Sequence, residues 1–256
     1  MRLLYTLAMY LVMPLFMLRL LARGMRYGDY HLRWRERFGF FKRPPFEQCL
    51  WVHAVSLGEV NAAEPLIEAL MRTYPQYQLV VTTVTPTGSE RVHQLFGDRV
   101  FHVYLPYDLP FAVRRFLKRI RPLLGVIVET EIWPNLYFAC HARGVPLMIA
   151  NARLSDRSLR GYAPARALLR SAMKCVRYVA AQSHNDAARY RLLGADHGRI
   201  SVAGNLKFDM PLNANLAREG GLMRAAWGVG RPVWIAASTH EGEEMPVLKA
   251  HLEVLK

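Results

Sequence analysis

The chain has 256 residues, 52% of them hydrophobic, enough to bury the core of one large or two smaller domains. A net charge of +14 calls for an anionic partner: nucleic acid, an anionic lipid surface or a phosphorylated substrate. Three scattered cysteines, Cys49, Cys140 and Cys175, argue against a disulfide framework and against a zinc site, and suit a reducing compartment.

Residues 3–18 carry no charge, and Arg19 follows. The run is of borderline length for a bilayer span, and Pro14 within it is tolerable in lipid but can kink a helix. No small-x-small cleavage pattern follows, so residues 1–22 read as a retained membrane anchor rather than a signal peptide or a buried helix. Residues 23–45 mix Arg23, Arg26, Arg33, Arg35, Arg37, Lys42 and Arg43 with Tyr27, Tyr30, Trp34, Phe38, Phe40 and Phe41, against Asp29 and Glu36. Such a segment suits anionic membrane lipids, with its rings at headgroup depth and the globular part on the cytoplasmic face. The same composition describes a nucleic-acid surface, but the adjoining anchor favours lipid and no recognition motif for nucleic acid is present. Pro44-Pro45 marks the boundary with the globular region.

From there strand and helix signals alternate, which predicts an α/β fold with a parallel sheet. Cys49–Ser56 is a strand, Ser56-Leu57-Gly58 a tight turn, and Glu59–Thr73 a helix. Gly58 would let the backbone approach a substrate. Glu59, in the first helical turn, is either a site carboxylate or ordinary capping chemistry, and the helix N-terminus should resist any rise in its pKa. Gln78–Thr85 reads as a central strand, followed by Thr87, Gly88 in a turn and Ser89 as a helix cap. Val100–Leu105 is the third strand and Phe111–Arg121 a basic amphipathic helix.

Leu123–Val128 ends in Glu129-Thr130-Glu131-Ile132-Trp133-Pro134-Asn135. In extended chain Glu129 and Glu131 point to the same side, where two like charges oppose each other's ionisation. Val145–Asn151 leads into a loop with Arg153, Ser155, Arg157 and Ser158, donors suited to an anionic group. Tyr162–Cys175 is a helix, Tyr178–Gln182 a short strand, and Ser183 and Gly194 cap the helix between them. Ile200–Ala203 leads to Lys207. Residues 211–231 include a crossing helix, and 232–237 begin a new strand followed by Thr239, His240 and Glu243. One strand and one helix bury no core alone, so the second domain reads as only begun. No GxGxxG, GxxxxGK[ST] or GxSxG pattern follows any strand. The strand ends gather Glu59, Thr83, Thr85, Thr87, Gly88, Glu129, Glu131 and Arg153, which suits an anionic or polyol substrate.

Six motifs in order carry a resemblance: HAVSLGE at 53–59, TTVTPTG at 82–88, ETEIWPN at 129–135, NARLSDRS at 151–158, GNLKFD at 204–209 and STHEGEE at 238–244. Together they resemble the bacterial 3-deoxy-D-manno-octulosonic acid (Kdo) transferases. The resemblance implies a two-domain GT-B fold: a Rossmann-like acceptor domain at 46–209, a linker at 210–231, and the start of a CMP-Kdo-binding domain at 232–256. It implies inverting transfer of Kdo from CMP-Kdo to a lipid A precursor at the inner membrane, with no further cofactor and no metal. Glu59 falls on the catalytic base. Ser56, Gly58, Thr83, Thr85, Thr87, Gly88, Glu129, Glu131, Asn135, Arg153, Ser155, Arg157, Lys207, Thr239, His240 and Glu243 fall in the acceptor- or donor-binding motifs. The later donor motifs are absent, which implies an inactive fragment. The alternatives are another GT-B transferase using a UDP-sugar and a membrane-surface lipid-binding module without catalysis.

Overall fold

The computed structural model describes residues 1–27, 33–209 and 214–256. Asp29 and Tyr30 of the basic segment and Pro211 of the linker lie outside the described residues, as do the side chains of Arg26 and Tyr27. The chain forms two units, Met1–Met210 and Pro211–Lys256.

The first unit opens with helix α1 (Arg2–Tyr27), which runs unbroken through Pro14. Seven strands follow: β1 (Cys49–His53), β2 (Gln78–Thr83), β3 (Val100–Tyr104), β4 (Pro122–Val128), β5 (Leu147–Ala152), β6 (Val176–Ala181) and β7 (Ile200–Val202). They make one sheet, with every neighbouring pair parallel, in the order β3-β2-β1-β4-β5-β6-β7. The order reverses between β1 and β4, and ligands of open α/β sheets bind outside the strand C-termini at such a point.

Side-chain alternation along β1 divides the core. Leu50 and Val52 join Val60, Ala63 and Ile67 of α2 (Leu57–Thr73) and Val92 and Phe96 of α3 (Pro86–Phe96) on one face. Cys49 and Trp51 join the other face, covered by α4 (Pro110–Ile120), α5 (Pro134–Ala142), α7 (Arg166–Met173) and α8 (His184–Leu193). Helices thus switch faces where the strand order reverses. Trp51 is fully buried and its indole N–H donates to Thr82 Oγ1 at 2.9 Å. Gly125 on β4 makes room for it: a Cβ there would lie 2.8 Å from the indole and 2.6 Å from Leu147 Cδ2.

The predicted elements are present with shifted ends. The strands predicted as 49–56 and 78–85 stop at His53 and Thr83, where the chain leaves the ladder for the helix-entry loops. Thr85, not Ser89, caps α3, its Oγ1 accepting from Gly88 N at 3.1 Å, while Ser89 is buried. The predicted helix 162–175 opens as a 3-10 turn over Ala163–Ala165 and continues as α7, and the loop predicted before it contains a further short helix, α6 (Asp156–Gly161). Pro164, which lacks an N–H, sits in that turn. In the basic segment, Phe38 stacks on Phe111 and Phe41 rests on Phe101 and Phe116. Arg37 is buried and donates to Val84 O at 2.8 Å. These side chains serve the fold, not a headgroup layer, while Trp34 and Phe40 remain exposed.

The second unit holds α9 (Ala214–Trp227) and α10 (Glu244–Val254). Residues 232–237, predicted as a strand, form none, and Val233, Trp234 and Ile235 are exposed. An apolar β-rich segment becomes a strand only when a neighbour takes up its backbone bonds. No strand pairs with it among the described residues.

Candidate active site

Four of the strand-to-helix junctions at the sheet's C-terminal edge carry the predicted residues. At the first, Ser56 is the N-cap residue of α2, and Leu57, Gly58 and Glu59 form its opening turn. Gly58 is therefore helical rather than a turn glycine, and a Cβ added there would meet only Ser56 Oγ, at 4.0 Å. Glu59 reaches back to accept from Val55 N at 2.7 Å, and the Ser56 hydroxyl lies 3.4 Å from its other oxygen. That satisfies a backbone N–H as a capping carboxylate does, yet the carboxyl is not held ionised. Burial pushes its pKa up to about 7, and the carboxylates of Glu131 and Glu129 push the same way against the Val55 bond. The expected resistance of the helix end is outweighed by desolvation.

The second junction packs against the first. Gly88 is buried in the opening turn of α3, where a Cβ would stand 3.0 Å from Thr85 Oγ1 and 3.3 Å from both Ser56 C and Val55 O. The glycine therefore sets how closely the two helix entries approach. Thr85 N also donates to Val55 O at 3.2 Å. Thr87 is exposed, and its hydroxyl donates to Thr85 Oγ1 at 3.3 Å. Thr83 is turned away: fully buried, its Oγ1 lies 3.0 Å from His102 Nε2.

The third junction is at the end of β4. Glu129 adopts a left-handed backbone, φ 63°, so the extended geometry expected of Glu129 and Glu131 does not hold. The bend is fixed by phenols: Tyr190 donates to Glu129 O at 3.3 Å and Tyr137 to Glu131 O at 2.7 Å. Burial raises the Glu131 carboxyl to about 7, the nearby Glu129 adds to the rise, and the Trp133 indole N–H opposes it by donating to Glu131 Oε2 at 2.9 Å. Asn135 is fully buried and serves the fold. Its Nδ2 donates to Asp108 O at 2.9 Å, and its Oδ1 accepts from Thr6 Oγ1 at 3.2 Å and Arg2 Nε at 3.3 Å.

At the fourth junction Asn151, φ 52°, is buried at the end of β5. Its Oδ1 accepts from Leu206 N at 3.1 Å, which ties the 3-10 turn Leu206–Asp209 to this edge. Lys207 on that turn is exposed, as are Arg153 and Arg157, and none of the three side chains has an ion pair among the described residues. Ser155 caps α6, accepting from Ser158 N at 3.1 Å. In the second unit Thr239, His240 and Glu243 are exposed, and Glu243 accepts from His240 N at 2.9 Å.

A cavity of about 300 Å³ adjoins these junctions, walled by Met9, Phe16 and Leu20 of α1 and by Val84, Thr85, Leu105, Tyr107 and Trp133, with Arg19, Arg23 and Arg37 at its border. Among the described residues no group of three or more His, Cys, Asp or Glu side chains is placed to hold a metal ion. Sequence reasoning missed Asp108, Trp133, Asn151 and the two tyrosines. Asp108 caps α5, accepting from Asn135 N at 2.9 Å and Leu136 N at 2.7 Å, and burial raises its carboxyl to about 6. Its signal was slight: one acid in an apolar loop before a proline. The larger opening at the sheet's other end, lined by Arg115, Lys118, Arg119 and Arg121, contains none of the predicted residues.

A 3-deoxy-D-manno-octulosonic-acid transferase (kdotransferase) family model matches residues 32–210. The 3-deoxy-D-manno-octulosonic acid transferase of Haemophilus influenzae is 41% identical over 99% of this chain, and that of Bordetella pertussis 40% identical over 96%. The chain spans 60% and 58% of the length of these two relatives. Among solved structures, the UDP-GlcNAc 2-epimerase of Neisseria meningitidis aligns with a TM-score of 0.47 at 15% identity, covering 70% of this chain and 51% of that one. The family match covers the sheet and all four junctions, so the chain belongs to the Kdo transferase family.

Proposed function

We propose that this chain supplies the acceptor side and the base of an inverting transfer of Kdo from CMP-Kdo to a lipid A precursor, in a GT-B enzyme at the cytoplasmic face of the inner membrane. The observation that carries the reading is Glu59: a carboxylate held from one side by Val55 N–H, at the sheet's switch point, with a pKa near 7. A base works best when its pKa lies close to the working pH. In the transfer, the acceptor hydroxyl oxygen forms the new bond to the anomeric carbon as the bond to the CMP phosphate oxygen breaks. Glu59 takes the hydroxyl proton and CMP departs with the bonding electrons. Glu131, kept in place by Trp133 and Tyr137, would accept hydrogen bonds from acceptor hydroxyls. Arg153, Arg157 and Lys207 would meet acceptor phosphate or the Kdo carboxylate. The apolar cavity bordered by Arg19 and Arg23 suits an acyl chain with a phosphate at its mouth.

The test is an assay of the complete protein with CMP-Kdo and, separately, with UDP-sugars, using a lipid A precursor as acceptor. CMP release that depends on the acceptor is expected. Turnover with a UDP-sugar and none with CMP-Kdo would replace this reading.

A further inference from the structure

Helix α1 is long and apolar enough to cross a membrane over Arg2–Gly24. Its contacts describe something else. Tyr5, Thr6, Met9, Met13, Met17, Leu20 and Gly24, three to four residues apart, are the covered side of the helix. The Tyr5 hydroxyl donates to Asp108 Oδ2 at 2.9 Å, and Thr6 bonds Asn135. Tyr10 stacks on Phe111 at 6.5 Å, Met13 shares a buried cluster with Leu109 and Ala112, and Phe16 stacks on Tyr107 at 6.0 Å. From Tyr5 to Leu20 the helix advances roughly 23 Å. Over all of that length it rests on the loop before α4 and on the entries of α4 and α5.

The opposite side is a stripe of leucines at helical spacing. Leu4, Leu7, Leu11, Leu15 and Leu18 are 64%, 51%, 79%, 64% and 62% exposed. The helix contains no acidic residue, and exposed Arg19 and Arg23 follow the stripe in its C-terminal third. Leucines on one face followed by arginines complement an anionic bilayer surface. A crossing orientation would carry the loop Leu105–Leu109 and the entry of α4 through the hydrocarbon beside the helix. Irregular backbone exposed to lipid is not tolerated there.

We infer that α1 lies in the plane of the membrane, docked on the globular unit, with its leucine stripe in the acyl layer. The inference rests on the membrane placement proposed above. It puts the cavity beneath α1 and the junction row at headgroup level.

Nitroxide labels at single cysteines test this. Leu4→Cys, Leu11→Cys and Leu18→Cys, each with Cys175→Ser, leave Cys49 and Cys140, which are buried. The labelled proteins are bound to vesicles of equimolar phosphatidylcholine and phosphatidylglycerol, and depth is read from oxygen against nickel-chelate accessibility. The in-plane helix places all three labels at one shallow depth, on the order of 5–10 Å. A crossing helix would spread them over roughly 21 Å, with Leu11 the deepest, and would overturn the inference. So would labels that stay aqueous on sedimenting vesicles, or dipolar broadening from a second copy on the stripe. Protein that does not sediment with vesicles at low salt removes the membrane placement itself.

Discussion

The indole N–H of Trp133 donates to Glu131 Oε2 at 2.9 Å, and the same ring forms part of the cavity wall beneath α1. One side chain therefore joins the carboxylate row to the apolar cavity. Trp133→Phe keeps most of the ring and loses the donor. The expected result is a Glu131 carboxyl that ionises less readily and a KM for acceptor raised severalfold, since a hydrogen bond to a charged group is worth about 1.5–3 kcal/mol. Steady-state kinetics over a range of acceptor concentrations checks this.

Glu59→Gln keeps the shape but removes the basic oxygen. Loss of a general base lowers rate by about 10² to 10⁴, or roughly 3–5 kcal/mol of barrier. A purely capping Glu59 would instead cost about 0.3–1 kcal/mol of stability and leave turnover nearly intact. Glu64→Gln, further along α2, is the control. Turnover by Glu59→Gln within about threefold of the parent, with folding and acceptor affinity retained, would exclude the base role, since a general base is worth far more.

The pH profile follows from the raised pKa. Glu59 must be ionised to take a proton, so kcat/KM should climb through about pH 7 and flatten above it. Because the Glu131 carboxylate pushes Glu59 upward, Glu131→Gln should move that limb to lower pH. An unmoved limb would show that the two carboxyls do not sense each other.

Stability carries the opposite sign. The unfolded chain releases the Glu59 and Glu131 protons near 4.5, the folded protein near 7. Between those values the folded state binds more protons, so stability falls as pH rises across the window and levels off above it. Urea midpoints at several pH values should show this decline, and Glu59→Gln with Glu131→Gln together should flatten it.

Gly88→Ala tests how closely the two helix entries must approach. The added methyl meets backbone of Val55 and Ser56, which cannot swing aside as a side chain can. Overpacking of this kind costs about 1–3 kcal/mol, and because Val55 N holds Glu59, turnover should fall by more than the loss of folded protein explains. Thermal melts run beside kinetics separate the two effects.

The sheet was legible because buried parallel strands are written as unbroken apolar runs such as Val80-Val81 and Val126-Ile127-Val128. Junctions were legible where their chemistry is local, as at Ser183 and Gly194, which cap α8 as predicted. What sequence could not supply was long-range company. Asn135 stood in a motif with the acids, but its partners are Arg2, Thr6 and Asp108, brought to it by the fold. The pKa of Glu59 was misjudged for the same reason: proximity to a helix end is visible in sequence, whereas burial beside two other carboxylates is not. The strand expected at 232–237 rested on composition alone, and composition does not provide a pairing partner.

The docking of α1 also orders events during synthesis. Tyr5 and Asp108 are 103 residues apart, and Arg2 and Asn135 are 133 apart. At about 5–20 residues per second, the helix leaves the ribosome roughly 5–25 s before its binding site on α4 and α5 exists. For that interval neither of its faces has its partners within this chain, and a lipid surface would shield so apolar a segment. With the membrane placement proposed above, the nascent chain would fold against a helix already resting on the membrane, and targeting would come before the candidate site is assembled.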